Sequence, residues 1–285
     1  MQEIIQILKQ GKDKLKEGGI NTFSLDAELI MSHVIHESRE RILARLVCDI
    51  SDTDIEKYLN LIDKRVCGCP LQYITNHQEF MSLDFYVDAR VLIPRPDTEI
   101  LVENVINHCK NKKNVVLLDM CTGSGCIAVT LAYYIENIRI IAVDISKEAL
   151  DVAKHNAKCN NVTDKITFIQ SDLFENLDKK DIKSFDIIVS NPPYIESGEI
   201  PILSKEVKDF EPKIALDGGD LGLDFYRLIS KQSIEYLKDN GKLFYEIGYN
   251  QGNNVKNILL DNGFDNINII RDLAGKDRVV VSVYN

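Results

Sequence analysis

The second half of the chain alternates between apolar runs of strand length and segments with helical spacing, and this alternation restricts the fold most. The apolar runs are Val115–Leu118, Ile138–Val143, Ile166–Ile169, Phe185–Ser190, Gly241–Ile247, Asn266–Arg271 and Arg278–Val283. Helices are predicted between them at Cys126–Tyr134, Lys147–Cys159, Leu223–Leu237 and Gly252–Asn262. Such alternation is typical of an α/β doubly wound sheet. The connection Asp272–Asp277 is too short for a crossover helix, so the last two strands are predicted to pair antiparallel.

The chain before this region divides into two parts with different patterns. Residues 1–70 are predicted to form a small helical domain, because apolar residues recur there at helical spacing. Ser24 and Ser51 are predicted to cap two of its helices. Residues 71–93 are predicted to form a β-hairpin linker, with strand-like alternation between Phe80 and Leu92. Residues 94–285 then form the α/β domain, whose first helix is predicted to begin near Thr98 and Glu99.

Composition excludes several classes of protein. The 285 residues include 45% hydrophobic residues but no run of eighteen apolar ones, and residues 1–20 lack a signal-peptide apolar centre, so we expect a cytoplasmic protein without a membrane partner. The formal net charge of −10 opposes nucleic-acid binding through many phosphates. The seven cysteines are scattered, and only Cys67 and Cys69 form a close pair, so neither disulfides nor a metal site is expected.

A strand-to-helix turn, Asp119 to Gly125, is predicted to bind a cofactor. Gly123 and Gly125 let the backbone approach a ligand closely at the start of a helix. Asp144 ends the next strand, nineteen residues after Gly125, which is the spacing at which a carboxylate meets a ribose hydroxyl. We therefore predict a nucleoside-containing cofactor. Residues 123–128 also match the dinucleotide pattern G-x-G-x-x-A, so a nicotinamide or flavin enzyme remains an alternative.

Two features favour S-adenosylmethionine as that cofactor. Asp119 would oppose a pyrophosphate but suits a cationic methionine group. The predicted antiparallel final pair resembles the sheet of Rossmann-like methyltransferases. Asp172, after the third strand, could receive the adenine amino group, and all three carboxylates then follow successive strands, where ligands bind in open α/β sheets.

The segment Asn191-Pro192-Pro193-Tyr194 follows the fourth predicted strand directly. Its prolines carry no N–H and restrict the backbone, so carbonyl oxygens are left without local donors. Together with the Asn191 side-chain oxygen they form a cluster of acceptors suited to both hydrogens of a planar NH2 group, and Tyr194 could cover its flat face. A Pro-Pro turn without a chemical role is the alternative.

With these motifs the chain resembles the N5-glutamine methyltransferases that modify peptide chain release factors. The shared segments are residues 70–74, 93–99, 119–125, 144, 191–194, 211–212, 216–219, 222–227, 246–248 and 272–278. The resemblance implies a Rossmann-like S-adenosylmethionine-dependent methyltransferase sheet. It also implies transfer of a methyl group to the glutamine amide nitrogen of a release factor's Gly-Gly-Gln motif, with S-adenosylhomocysteine as the second product.

The resemblance also implies the roles of the site residues. The catalytic group is Asn191, Pro192 and Tyr194, and these residues bind the substrate together with Pro193, Arg95 and Glu99. The cofactor-binding residues are Asp119, Cys121, Thr122, Gly123, Ser124, Gly125, Asp144, Ile145, Asp172, Leu173 and Asn191. Cys121 stands where the family usually has glycine, and we expect a side chain there to require a negative φ.

Several alternatives remain open. Asn-Pro-Pro-Tyr is shared with enzymes that methylate adenine N6 or guanine N2 in nucleic acids, and a non-catalytic S-adenosylmethionine-binding protein is a further possibility. The helical domain is expected to dock the release factor, with a structural capping role as the alternative. The protein is expected to be a monomer. His77 and His108 are expected to be surface or packing residues, so positioning without a strong base is expected to support catalysis.

Overall fold

The computed structural model describes residues 2–47 and 49–285, which form two compact units that are described separately here. The first unit comprises Met1–His77 and Ser204–Phe210, and the second comprises Gln78–Leu203 and Glu211–Asn285. Met1 and Cys48 lie outside the described residues. None of the helices in the described part is long and apolar enough to cross a membrane.

The first unit is mainly helical. Its elements are β1 (Gln2–Glu3), α1 (Ile4–Glu17), α2 (Phe23–Ile35), α3 (Arg39–Leu43), β2 (Asp49–Ile50), α4 (Asp52–Val66), α5 (Leu71–Thr75) and, from the returning segment, α9 (Lys205–Lys208). Leu15, Ile30 and Ile62 bury their side chains in its core. Helix α1 lies so close to α4 that a Cβ atom at Gly11 would overlap the Tyr58 ring, which explains a glycine inside this helix despite its cost there.

The helix caps of this unit confirm one prediction and correct another. The Ser51 hydroxyl accepts a hydrogen bond from the Asp54 backbone N–H at 3.1 Å and caps α4, as predicted. The prediction for Ser24 is wrong, because α2 already begins at Phe23 and Thr22 occupies the cap position. Ser24 instead donates to Glu28 one helical turn later, at 3.1 Å, where its hydroxyl finds a partner without ending the helix.

The second unit begins with a hairpin and a helix that differ in extent from their predictions. The hairpin consists of β3 (Gln78–Phe80) and β4 (Leu83–Phe85), so it starts earlier and is shorter than predicted. Helix α6 (Pro96–Cys109) begins two residues before the predicted start. A proline fits the first helical position, because the N–H that it lacks would have no partner within the helix.

The remaining elements form a sheet covered by helices. The strands are β5 (Val115–Met120), β6 (Ile138–Asp144), β7 (Ile166–Gln170), β8 (Phe185–Ser190), β9 (Leu237–Glu246), β10 (Phe264–Arg271) and β11 (Asp277–Tyr284), and the helices are α7 (Cys126–Tyr134), α8 (Lys147–Cys159), α10 (Asp224–Tyr236) and α11 (Gly252–Asp261). Short 3-10 helices lie at Thr163–Lys165, Lys179–Asp181, Ile200–Ile202 and Lys213–Ala215. One hydrophobic cluster includes α6 and α7, and another includes α10 and α11.

The sheet has the order β10-β11-β9-β8-β5-β6-β7, and β11 is antiparallel to both of its neighbours. The predicted α/β sheet with an antiparallel final pair is therefore confirmed. From β5 the chain first proceeds to β6 and β7 on one side, and then returns to β8 and β9 on the other. The strand order thus reverses between β5 and β8, and in such sheets ligands bind outside the carboxyl ends of the strands at this point.

Candidate active site

The candidate active site is a cavity in the second unit at the reversal between β5 and β8. Met120 and Ser190, the last residues of these two strands, are paired in the sheet. The segments that begin at Cys121 and Asn191 therefore leave the sheet side by side. The cavity encloses about 260 Å³. Its walls include Cys121, Thr122, Gly123, Ser124, Asp144, Ile145, Asp172, Leu173, Asn191, Pro193 and Arg95 from the predicted site residues.

The glycine loop lies between β5 and α7 and forms one wall. Its Thr122 backbone N–H donates to the Val143 carbonyl at 2.9 Å, which closes the loop against β6. Gly123 has φ of 55°, and a Cβ atom there would meet no atom within 4 Å, so its backbone faces open space. Gly125 has φ of 78°, and a Cβ atom there would lie 2.9 Å from the Ala153 side chain on α8. The first glycine leaves room for a ligand, whereas the second allows two helices to pack closely.

Cys121 corrects the prediction of a negative φ, because its φ is 63°. This left-handed conformation costs a residue with a side chain about 1–2 kcal/mol. The chain adopts it because it must turn sharply between Met120, whose carbonyl accepts from the Ser190 hydroxyl at 2.6 Å, and Thr122, which is bound to β6. The thiol packs against the hydrophobic cluster beneath the sheet end, and burial raises its pKa. Packing thus compensates for the backbone strain.

Asp144 connects the end of β6 to the glycine loop. Its carboxylate accepts from the Gly123 backbone N–H at 2.8 Å and from the Ser146 backbone N–H at 2.9 Å. Burial raises its pKa, while these two backbone bonds oppose that shift. An ionised carboxylate offers about four lone-pair positions, so two bonds leave capacity for hydroxyl donors from a ligand in the cavity.

Asp119 lies beneath the loop and is not part of the cavity wall. Its side chain is 0% exposed, and its Oδ2 accepts from the Thr122 hydroxyl at 2.6 Å. The Ala128 backbone N–H on α7 also favours its charged form, yet burial raises the pKa of Asp119 to about 7. Its other oxygen, Oδ1, has no hydrogen-bond partner within the described residues. The structure therefore places Asp119 as a support of Thr122 and the glycine loop.

Residues after β7 and around Asn191 complete the walls. Asp172 is exposed at the rim, and the Leu173 side chain is buried in the wall. Asn191 and Pro193 line the cavity, whereas Pro192 is buried and Tyr194 packs against the hydrophobic cluster that includes α10 and α11. Burial raises the pKa of the Tyr194 phenol.

The two remaining predicted residues differ in position. Arg95 lines the cavity and binds the Glu211 carboxylate at 2.5 Å, which ties it to the segment that supplies Pro212 and Ala215 to the wall. Glu99 is not in the wall. Its carboxylate accepts from the Met81 backbone N–H at 2.8 Å and holds the turn of the β3–β4 hairpin.

Three residues near the site were not predicted individually. Thr98 lines the cavity, and its hydroxyl accepts from Asn191 Nδ2 at 3.3 Å. Glu246 ends β9 and is 1% exposed. Gln251 donates to the Tyr194 carbonyl at 3.0 Å and to the Gly222 carbonyl at 3.1 Å, which fixes the end of the Asn191–Tyr194 segment. A polar residue directly after an apolar strand is the signal that could have identified Glu246.

The arrangement fits a nucleoside and a primary amide more closely than a metal ion. Among residues 2–47 and 49–285, no three His, Cys, Asp or Glu side chains lie together in a way that could hold a metal. The open space at Gly123 and the remaining lone pairs of Asp144 suit a ribose, and Asn191 lies across the same cavity. His108 lies outside the wall and packs near Phe244, and burial lowers its pKa to about 4.

Comparison with known proteins identifies relatives over both units. The family described as methyltransferase small domain matches residues 96–207, and the family described as PrmC N-terminal domain matches residues 6–75. The release factor glutamine methyltransferase of Clostridium botulinum is 43% identical, with 96% of each chain covered. The enzyme of the same name from Moorella thermoacetica is 40% identical over 96% of this chain and 95% of its own.

Solved structures share the fold at lower identity. A methyltransferase from Pyrococcus furiosus is 16% identical with a TM-score of 0.53, and the match covers 79% of this chain and 98% of that one. The hMettl16 catalytic domain is 15% identical with a TM-score of 0.57, and the match covers 84% of each chain. These similarities concern the fold alone, and they confirm the predicted methyltransferase-type sheet.

Proposed function

Because the chain belongs to the release factor glutamine methyltransferase family, we propose that it methylates the glutamine of the Gly-Gly-Gln motif in peptide chain release factors. The methyl group is transferred from S-adenosylmethionine to the side-chain amide nitrogen. The observation that carries this proposal is the position of Asn191 and Pro193 on the same cavity wall as the glycine loop, at the reversal of strand order. A primary amide bound there lies beside the predicted cofactor site.

The cofactor-binding residues of this proposal are those that line the cavity near β5, β6 and β7. Asp144 would hold the ribose, and the open backbone at Gly123 would allow its close approach. Asp172 and Leu173 would flank the adenine. Asp119 would act indirectly, by holding Thr122. When bound, S-adenosylmethionine supplies an electrophilic methyl group.

The substrate side must overcome the weak nucleophilicity of an amide nitrogen, whose lone pair is delocalised into the carbonyl. We assign two hydrogen-bond acceptors to this task, Asn191 Oδ1 and the Pro192 carbonyl. If each accepts one N–H of the glutamine amide, they fix its plane and increase the electron density on its nitrogen. Well-oriented reactants can recover about 7–11 kcal/mol of a barrier. Orientation by these acceptors then replaces a strong general base.

A labelled-methyl assay tests the function directly. The protein is incubated with S-adenosylmethionine carrying a labelled methyl group, together with a release factor, the same factor with the motif glutamine replaced by alanine, or nucleic acid. We expect label only in the unaltered release factor, with mass spectrometry locating it on the glutamine. The formal net charge of −10 supports the expected absence of label in nucleic acid. Label in nucleic acid alone would instead identify a methyltransferase of exocyclic amines.

We also propose that the first unit docks the release factor, since a Gly-Gly-Gln loop alone offers little surface for recognition. Leu43 and Leu46 are exposed apolar side chains of this unit, and Leu46 is 67% exposed. Replacing both with serine is expected to raise KM for the release factor while kcat and cofactor affinity stay unchanged. The matched control is Leu260→Ser, which alters an exposed leucine on α11. Equal KM values in all these proteins would favour a purely structural role of the first unit.

A further inference from the structure

Glu246 is a buried acid that the proposed chemistry does not yet use. It ends β9, and because Ser190 pairs with Tyr245, Glu246 and Asn191 leave adjacent parallel strands at the same level. Glu246 is 1% exposed, and its Oε2 has no hydrogen-bond partner within the described residues. Burying a carboxyl that is incompletely paired costs stability. Packing alone would be served at lower cost by an apolar side chain.

Two neighbours connect Glu246 to the cavity. The side chains of Thr98 and Asn191 both face its carboxyl as hydrogen-bonding groups that favour its ionised form. Asn191 Nδ2 also lies 3.3 Å from the Thr98 hydroxyl oxygen. Thr98 is itself 1% exposed, so water does not compete freely for its hydroxyl. The three side chains form one buried polar group behind the cavity wall.

The chemistry of these groups determines which way the Asn191 amide faces. An ionised carboxylate only accepts hydrogen bonds, so the Thr98 O–H must donate to Glu246. The Thr98 oxygen is then free to accept, and the group that it accepts from must be the NH2 end of Asn191. Within the described residues, no hydrogen bond engages Asn191 Oδ1. The oxygen end of the amide is thus left for a ligand in the cavity.

We propose that Glu246, acting through Thr98, is a positioning residue that orients Asn191 so that its Oδ1 accepts an N–H of the substrate amide. The inference rests on the proposed function and extends it to a residue outside the cavity wall. With the opposite orientation, Asn191 would present its own NH2 to the substrate NH2. Two donors would then face each other, and the substrate amide would lose one of its two fixed hydrogen bonds. The Glu246–Thr98–Asn191 group therefore selects an amide donor as substrate.

Conservative substitutions separate this role from packing. Thr98→Val keeps the shape of the side chain but removes the hydroxyl, and Glu246→Gln keeps the shape but adds a donor, so both permit the reversed amide. We expect each to lower kcat by about 100-fold, the effect of a misplaced reactant, with cofactor affinity and thermal stability close to those of the wild type. Thr98→Ser retains the hydroxyl and is expected to keep kcat within severalfold. The double variant Thr98→Val/Glu246→Gln should lose little more than either single variant.

Hydrogen exchange of the Asn191 side-chain amide supplies a readout that needs no substrate. Its NMR signals are assigned by their loss in Asn191→Ala. We expect slow exchange in the wild type and in Thr98→Ser, and faster exchange in Thr98→Val and in Glu246→Gln. Equal exchange in all four proteins, or an unchanged kcat in Glu246→Gln, would overturn the proposal. If the wild type fails to methylate release factors, the proposed function is wrong, and the exchange measurement still decides the orientation of Asn191.

Discussion

The contacts of Asp144 give the clearest quantitative prediction for cofactor binding. Its carboxylate accepts two backbone N–H bonds, from Gly123 at 2.8 Å and from Ser146 at 2.9 Å, and faces the cavity with its remaining lone pairs. Asp144→Ala removes both the bond proposed for the ribose and the tether of the glycine loop. A hydrogen bond to a charged group contributes about 1.5–3 kcal/mol, which corresponds to a roughly 10- to 150-fold increase in Kd.

Isothermal titration calorimetry with S-adenosylmethionine or S-adenosylhomocysteine measures this change. The matched control is Asp151→Ala, which removes an exposed carboxylate from neighbouring α8 and leaves the cavity intact. We expect an unchanged Kd for the control. At saturating cofactor, kcat of Asp144→Ala should remain near the wild-type value, because Asp144 is not proposed to contact the substrate amide. A Kd for Asp144→Ala within twofold of the control would refute the ribose assignment.

Three further predictions concern stability and the predicted site residues. Glu99→Ala removes the bond to the Met81 N–H, so we expect the free energy of unfolding to fall by about 1 kcal/mol in chemical denaturation while kcat is retained; a large loss of kcat would instead support substrate binding by Glu99. Cys121→Gly relieves a left-handed backbone but loses thiol packing, so its free energy of unfolding should stay within about 1 kcal/mol of the wild type, whereas Cys121→Val should lower it by about 1–3 kcal/mol. Burial raises the pKa of Glu246 from 4.5 to about 7, although nearby Arg278 opposes the additional effect of Asp97. The folded state therefore binds this proton more tightly than the unfolded state, so stability from this group is full below pH 4.5 and is lost as the pH rises to about 7. This loss amounts to about 3 kcal/mol, and Glu246→Gln should flatten the corresponding part of a stability-against-pH curve; an unchanged curve would contradict the shift.

The sheet could be predicted from sequence because its signals are local. Each strand from β5 to β11 is a short apolar run with helical or turn residues on both sides, and the short connection before Asp277 forces the final pair to be antiparallel. The hairpin was less well predicted, since β3 and β4 have three residues each and Val87 to Leu92 continue an apolar pattern without forming a strand. The grouping of Ser204–Phe210 with the first unit has no local signal at all.

The site was predicted where function depends on a residue type at a strand end, and missed where it depends on packing. Gly123, Asp144 and Asn191 follow strands directly, and all three line the cavity. The position of Asp119 beneath the loop instead depends on its bond to Thr122, which spacing alone cannot distinguish from a contact with ligand. The φ of Cys121 likewise depends on the tertiary contacts of its neighbours.

The most direct test of the account compares Asn191→Ala with the wild type in a single-turnover methylation of a release factor, with cofactor bound to both proteins. The account predicts that Asn191→Ala binds S-adenosylmethionine with a Kd within severalfold of the wild type. It also predicts that most methyl transfer to the motif glutamine is lost, because the amide loses the side-chain acceptor that orients its nitrogen. Methyl transfer at a near wild-type rate by Asn191→Ala would contradict the account.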